Sequence, residues 1–399
     1  MRLCYVVQRY GTHIAGGAEQ FCREIAERMV RRGHDVEVVT SCARSYIDWA
    51  NEMEPGRSDV NGVHVHRIPV AIPRNSVLFG DINRRMVTGL GVRPLRVQRE
   101  WMRAQGPYIP ALPEWLRTNA HRFDLVLCVT YLYGTTYAAL DTIAGVVPTV
   151  LHPLVHDEPP LRLSIFDGVF RAPDALALAT PEELDLVRRR FRFEPDADVV
   201  GIGVERDVHD PAPFRAAFLP DGAPYLLYVG RIDAMKGAEE LLDDFVAYKD
   251  RNPVDDIRLV LLGDPLMDIP QRDDVVVTGF VDHGLRDSAI AGCFALAMPS
   301  YFESFSMVLT EAFAQSRPAL VQGRCSVLRG HAERSGAAIP YEGFAEFESA
   351  LSMLREDPGL ADAMGAKGRA YVEREYQWDA VLDRYERLLA RTADVRAST

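Results

Sequence analysis

The stretch Ala297-Met298-Pro299-Ser300-Tyr301-Phe302-Glu303-Ser304-Phe305-Ser306-Met307-Val308-Leu309-Thr310-Glu311-Ala312-Phe313 decides how the chain is read. A short apolar run ends, a loop carrying Glu303 follows, and a helix begins near Ser306. A second carboxylate, Glu311, sits eight residues after the first, in the second turn of that helix. Helical side chains lean toward the N-terminus, so Glu311 points back at the opening turn. Between the two acids lie the free N–H groups of that turn, which favour an anion. The arrangement suits a ligand with hydroxyls at both ends and phosphate in the middle. A nucleotide sugar is such a ligand: sugar, pyrophosphate, ribose.

The same step from apolar run to helix recurs in both directions. Upstream, Leu3–Val7, Val36–Thr40, Phe123–Val129, Thr149–His152 and Ala175–Ala179 read as strands, with helices over residues 18–32, 134–144 and from Pro181. Strands alternating with helices signal a parallel sheet. A proline-rich segment, about Pro195 to Pro224, separates this series from a second one. There Tyr225–Val229, Ile257–Leu262, Val275–Thr278, Phe294–Met298 and Ala319–Val321 are the expected strands, and the region from Ala345 to Ala390 reads as helical. The sequence therefore predicts an α/β protein with two Rossmann-like halves and a cleft between them, since open α/β sheets bind ligands at the carboxyl ends of strands. The expected division is residues 1–205, 206–375 and a final helix over 376–399.

Composition narrows the function. The 399 residues are 48% hydrophobic, enough to fill two cores. A net charge of −12 argues against nucleic acid as a general partner. The exception is local: Arg84, Arg85, Arg93, Arg96, Arg99 and Arg103 crowd one stretch around Trp101. It reads either as a solvated face or as a contact for an anionic acceptor or a membrane surface. Cys4, Cys22, Cys42, Cys128, Cys293 and Cys325 show no CxxC spacing and read as buried free thiols of a reducing compartment. No signal peptide is evident before the first strand, and no apolar run approaches membrane-spanning length. The expectation is a cytoplasmic protein, peripheral to a membrane if it meets one. Arginine outnumbers lysine 42 to 3, so each lysine, Lys236 included, draws attention.

Gly230-Arg231-Ile232-Asp233-Ala234-Met235-Lys236-Gly237 follows one expected strand. Two cations bracketing a loop that enters a helix could hold a pyrophosphate and neutralise the charge that builds as it leaves. The plainer reading is a surface turn. Glu303 and Glu311 could likewise be ordinary capping acids. Against that, Glu311 stands among Val308, Leu309, Ala312 and Phe313, where a carboxylate needs a partner, and a ribose diol would supply one. Gly16-Gly17-Ala18-Glu19 opens the first long helix, where glycines allow a backbone to approach a ligand. His152 and His156 have zinc-like spacing, but Pro153 and Pro159-Pro160 interrupt any helix, so His156 reads better as a polar contact to substrate. His64 and His66 look like alternating strand residues, and Asp196-Ala-Asp198, despite its DxD spacing, reads as linker polarity.

Taken in order, Gly16-Gly17-Ala18-Glu19, His156-Asp157, Gly230-Arg231…Lys236-Gly237 and Glu303…Glu311 resemble the GT4 family of retaining glycosyltransferases with the GT-B fold, over nearly the whole chain. The resemblance implies that Arg231 and Lys236 bind a donor diphosphate and that Glu311 holds the ribose hydroxyls. It implies that Glu303, with the backbone of Ser304, Phe305, Ser306 and Met307, contacts the transferred sugar and distal phosphate. His156 would contact the sugar near the reacting carbon, Gly16 and Gly17 the phosphate, and Gly230, Gly279 and Phe280 the donor. The last helix would cross back onto the N-terminal half, and no metal or other cofactor would be needed. Ser306 departs from the family's usual glycine, and so does Arg317 before Pro318. The expected activity is sugar transfer from a nucleotide diphosphate sugar to an unknown acceptor. A nucleotide-sugar epimerase or hydrolase, or a non-catalytic relative of the same fold, are the rival readings.

Overall fold

The computed structural model describes residues 1–14, 16–88 and 93–397, with side chains described through residue 394. The chain divides into two compact units, Met1–Gly201 with Leu382–Thr399, and Ile202–Val381.

The first unit is built on β1 (Arg2–Val6), β2 (Asp35–Ser41), β3 (Gly56–Val60), β4 (Val63–Ile68), β5 (Leu125–Val129), β6 (Thr149–His152), β7 (Ala175–Leu178) and β8 (Ala197–Val199). They form one sheet in the order β3-β4-β2-β1-β5-β6-β7-β8, parallel except for the β3–β4 hairpin. The central strands are apolar on both faces, Leu125–Val129 being wholly buried, as a sheet covered by helices on both sides requires. The second unit carries β9 (Tyr225–Val229), β10 (Arg258–Leu262), β11 (Val275–Gly279), β12 (Ala295–Met298), β13 (Ala319–Gln322) and β14 (Ala338–Tyr341), all parallel, in the order β11-β10-β9-β12-β13-β14. Each unit has its own apolar core.

Helices end where local chemistry ends them. Gly33, with φ +86°, follows the helix Gly17–Arg31. Pro181 stands first in the helix Pro181–Phe191, whose N-cap Thr180 accepts from the Glu183 N–H at 3.2 Å. The last helix, Trp378–Ala397, enters the first unit at Leu382. There Arg32 meets Asp383 at 2.6 Å and Glu386 at 2.8 Å, and the Tyr385 hydroxyl meets that of Tyr5 at 3.2 Å.

The segment read as a linker is partly structured. Asp198 lies in edge strand β8, which Asp196 immediately precedes, and Arg391 grips both carboxylates at 2.9 and 3.0 Å. Farther on, the helix Ala212–Phe218 buries Phe214. Strand β14 and the helix Ser326–Ser335 carried no clear sequence signal. Pro340 in a four-residue run disguises a strand, and the strand tolerates it because it lies at the sheet edge. Trp101, expected to face an acceptor, is instead a core residue, edge-on to Phe166 with its indole N–H on Asn83.

Burial sets the protonation of three side chains. His152 packs against the rings of Phe21 and Tyr385, and His331 against Phe305, Tyr371 and Tyr376. Desolvation pushes both imidazoles down to about 3. Glu183 goes the other way. Burial pushes its carboxyl up to about 8, although the N–H groups of Ala179 and Val155, each donating at 2.6 Å, pull against it. The histidines therefore contribute stability above pH 6.5 that is lost as the pH falls toward 3. Glu183 contributes stability that is fully present below pH 4.5 and lost as the pH rises through 8. In hydrogen exchange of the first unit, wild type should therefore gain on Glu183→Gln as the pH is lowered from 8 toward 4.5, by about 1.4 kcal/mol per pH unit. A difference independent of pH would mean that Glu183 is ionised throughout.

Candidate functional site

Two loops are placed side by side by the second sheet. β9 pairs with β10 on one side and β12 on the other. The chain leaves β9 toward β10 and leaves β12 in the opposite direction toward β13. Such a switch point opens a crevice beyond the carboxyl ends of the two strands. The loop after β9 runs through Arg231 and Lys236, and that after β12 through Glu303. They touch closely: a Cβ on Gly237, whose φ is +74°, would lie 2.3 Å from the Pro299 carbonyl oxygen. Only glycine serves there.

Within the first loop, Asp233 organises the cations. Its Oδ1 accepts the Lys236 N–H at 2.8 Å, capping the turn Ala234–Lys236, and its Oδ2 lies 3.3 Å from Arg231 Nη2. The Tyr228 hydroxyl donates to the Arg231 carbonyl at 2.6 Å. Burial, with Asp233 and Glu303 nearby, keeps that phenol well above its ordinary range and so protonated. Lys236 Nζ crosses to the second loop and meets Glu303 Oε1 at 3.0 Å. An ammonium has three donors, so two remain for a ligand.

The helix Met307–Ala314 starts from Ser306, at φ +68° and ψ +75°. Its first intrahelical bond runs from the Thr310 N–H to the Ser306 carbonyl at 3.3 Å. The N–H groups of Met307, Val308 and Leu309 precede it and have no acceptor within the helix. The buried Ser306 hydroxyl has no hydrogen-bond partner among the described residues. Behind the loop, Phe305 is buried edge-on against His331 and Tyr376.

Glu311 corrects one expectation. The partner its apolar neighbourhood requires is supplied by the protein: Arg286, on the helix His283–Gly292, donates from Nη2 to Glu311 Oε2. Arg286 also donates to Asp287 Oδ1 at 2.9 Å. Burial works against the guanidinium charge, but Glu311 and Asp287 outweigh it and hold the group above its usual range. Nothing in the sequence marks Arg286; arginine is too common here for one more to stand out.

The second unit thus carries Gly230, Arg231, Lys236, Gly279, Phe280, Glu303, Ser304, Phe305, Ser306, Met307 and Glu311. It joins Lys236 to Glu303, while Arg231 turns to Asp233 and Glu311 to Arg286. Phe280 follows β11 with its ring 72% exposed. Gly16, Gly17 and His156 belong to the first unit. Gly16, at φ +147°, precedes the helix that Gly17 opens, and Glu19 in its first turn is paired with Arg9 at 2.7 Å. His156 Nδ1 lies 3.8 Å from Glu158 Oε1, which accepts the Tyr131 hydroxyl at 2.6 Å. Among the described residues, no group of three or more His, Cys, Asp or Glu is arranged to hold a metal ion, and no helix is long and apolar enough to cross a membrane.

Residues 16–203 match the family described as glycosyl transferase 4-like domain, and residues 223–357 that of glycosyl transferases group 1. Curated relatives include a D-inositol 3-phosphate glycosyltransferase of Streptomyces bingchenggensis, 28% identical over 97% of this chain and 86% of its own. Another, from Xylanimonas cellulosilytica, is 26% identical over 94% of this chain and 92% of its own. Among solved structures, sucrose-phosphate synthase from Thermosynechococcus elongatus superposes with a TM-score of 0.73 at 18% identity, over the full length of both chains. Anabaena HepE, solved in complex with UDP and glucose, gives 0.69 at 14% identity, again over both full lengths. These names speak for a transferase and not for an epimerase, a hydrolase or an inactive relative. With two glycosyl transferase family descriptions matched in sequence order, and two Rossmann-like sheets beneath them, the chain belongs to the glycosyltransferases of the GT-B fold.

Proposed function

We propose that the protein transfers a sugar from a nucleotide diphosphate sugar to an acceptor hydroxyl with retention at the anomeric carbon, as the GT4 resemblance implies. The observation that carries this reading is the set of unpaired donors on Lys236 and in the loop that Lys236 joins through Glu303. Lys236 Nζ keeps two donors beyond its bond to Glu303, and in the loop that runs from Glu303 into the next helix three first-turn N–H groups and the buried Ser306 hydroxyl have no partner among the described residues. That Anabaena HepE was solved with UDP and glucose supports a nucleotide-linked donor.

On this reading Arg231 and Lys236 bind the diphosphate, Glu311 the ribose and Glu303 the sugar. The resemblance further assigns His156 to the sugar and Gly16 and Gly17 to the phosphate. The exposed Phe280 ring, close after Gly279, offers a face to the base. The bond from the anomeric carbon to the phosphate oxygen breaks, and the acceptor oxygen bonds to that carbon from the same side. The acceptor's proton passes to the departing phosphate oxygen, which leaves on the nucleoside diphosphate. Glu303, held by Lys236, is not a covalent nucleophile here. Charge develops on the leaving phosphate, where fixed cations and helix N–H groups stabilise it without reorganising. No step requires a metal.

The acceptor side is assigned to the first unit. Ile72, Val77 and Leu78 are exposed on the same stretch as the exposed Arg84, Arg85, Arg96, Arg99 and Arg103, of which Arg84 and Arg96 meet Asp81 and Glu100 at 3.5 Å, on an otherwise acidic chain. Residues 89–92 of this stretch lie outside the described ones. We infer peripheral contact with an anionic membrane surface.

Lys236→Ala should lower kcat by about a hundredfold or more with little change in melting temperature. The assay needs a donor panel of UDP, GDP, ADP and TDP sugars, with acceptors that include inositol 3-phosphate. Normal turnover by the variant would remove the phosphate assignment. Ser306→Gly relieves a left-handed serine and removes an unpaired hydroxyl, so melting should hold or rise, whereas Ser306→Val should cost about 1–2 kcal/mol. Equal stability of the two variants would show that the turn is unstrained. In liposome pelleting, protein should sediment with anionic vesicles and not with neutral ones, and Val77→Asp with Leu78→Asp should abolish this. Recovery in the supernatant with both lipids would end the membrane assignment.

A further inference from the structure

We propose that Arg286 is a positioning residue of the donor site, fixing the Glu311 carboxylate for a vicinal diol. The inference rests on the reading of Glu311 as the ribose contact and adds the group that makes the contact selective. Glu311 lies on the helix Met307–Ala314 and Arg286 on the helix His283–Gly292, so two separate elements meet in this pair. Both side chains are mostly covered, at 17% and 22% exposure.

The geometry of the pair goes further than neutralising a charge. Arg286 takes Glu311 Oε2 and leaves Oε1 without a partner among the described residues. Its other terminal nitrogen is anchored on Asp287 Oδ1 at 2.9 Å, and its own N–H is bonded to the Asp282 carbonyl at 3.0 Å. Asp282 caps the same helix by accepting the Leu285 N–H at 2.9 Å. The guanidinium is thus held at its backbone and at both terminal nitrogens, and a planar fork so held sets the plane of the carboxylate opposite. A carboxylate has about four lone-pair sites, so one bond to Arg286 leaves room for two hydroxyl donors. A free glutamate would search several rotamers before accepting both hydroxyls. One clamped by arginine has lost that freedom before the ligand arrives, which raises affinity without adding a contact. Arg286 also supplies the partner that a carboxylate among Val308, Leu309, Ala312 and Phe313 requires.

Nucleotides that lack the diol test this. Titration calorimetry is run with UDP and 2′,3′-dideoxy-UDP, or with the GDP or ADP pair if that nucleotide binds more tightly. Wild type should prefer the ribonucleotide by about tenfold or more, the strength of a hydrogen bond to a charged group. Arg286→Met should lose most of that preference while its dideoxynucleotide affinity stays within about twofold, and Arg286→Lys should recover part of it. If Arg286 only holds the fold together, both nucleotides will weaken in parallel, or neither will, and the proposal is overturned. If Glu311→Gln leaves the preference intact, the ribose reading itself has failed. If Glu311→Gln abolishes it and Arg286→Met does not, Glu311 stands and Arg286 alone is misassigned. Should Arg286→Met melt well below wild type, Arg286→Lys with Asp287→Asn carries the comparison. Retention of full preference in both overturns the proposal.

Discussion

The adjacency of β9 and β12 is the constraint on which the site depends. Two strands from distant parts of the chain lie as hydrogen-bonded neighbours, and their helices leave in opposite directions. Everything chemical in the second unit follows from that divergence. It puts the Lys236 ammonium within 3.0 Å of the Glu303 carboxylate across 67 residues of sequence. It also explains why Gly237 must lack a side chain, since the neighbouring loop already fills the space. A parallel sheet without a reversal of strand order would have covered the same edge with a helix.

Charge in this candidate site is arranged by the protein's own pairs. Both acids singled out in the sequence are paired, Glu303 with Lys236 and Glu311 with Arg286, and Arg231 is tethered to Asp233. Paired groups keep their orientation, so the field they make is set by the fold. Full satisfaction stops short at the start of the helix Met307–Ala314, where backbone donors and one hydroxyl have no acceptor among the described residues. Unsatisfied donors at a helix start are what an anion would complete.

The strands are legible wherever the run is apolar and ends at a turn residue, so the sequence marks Tyr225–Val229 to the residue while Ala338–Tyr341 carries no such signal. Proline at a sheet edge looks like loop from sequence alone, because nothing local tells that its missing N–H faces away from the neighbour. The loops with Arg231, Lys236, Glu303 and Glu311 were legible because glycine, charge and helix start fall in fixed order. Arg286 was not, because its meaning comes from a helix that is distant in sequence. Trp101 failed for a related reason: a tryptophan amid arginines reads as surface, yet a helix places successive residues on different faces, and Trp101 and Met102 face the core while Arg99 and Arg103 do not. The Asp196 and Asp198 pair shows the same limit, since Arg391 lies at the far end of the chain.

The point where the chain returns to the first unit has a consequence for how such proteins are assembled in evolution. Residues 202–381 form a body interrupting another, and their two ends are stitched together. The Val204 N–H bonds the Tyr376 carbonyl at 2.8 Å, Val204 and Gln377 form a bridge, and the Trp378 ring occupies the space a side chain on Gly203 would need. A module whose beginning and end are neighbours is encoded by one uninterrupted length of gene. It can be exchanged for a relative's counterpart by a single replacement, leaving the host's own ends undisturbed.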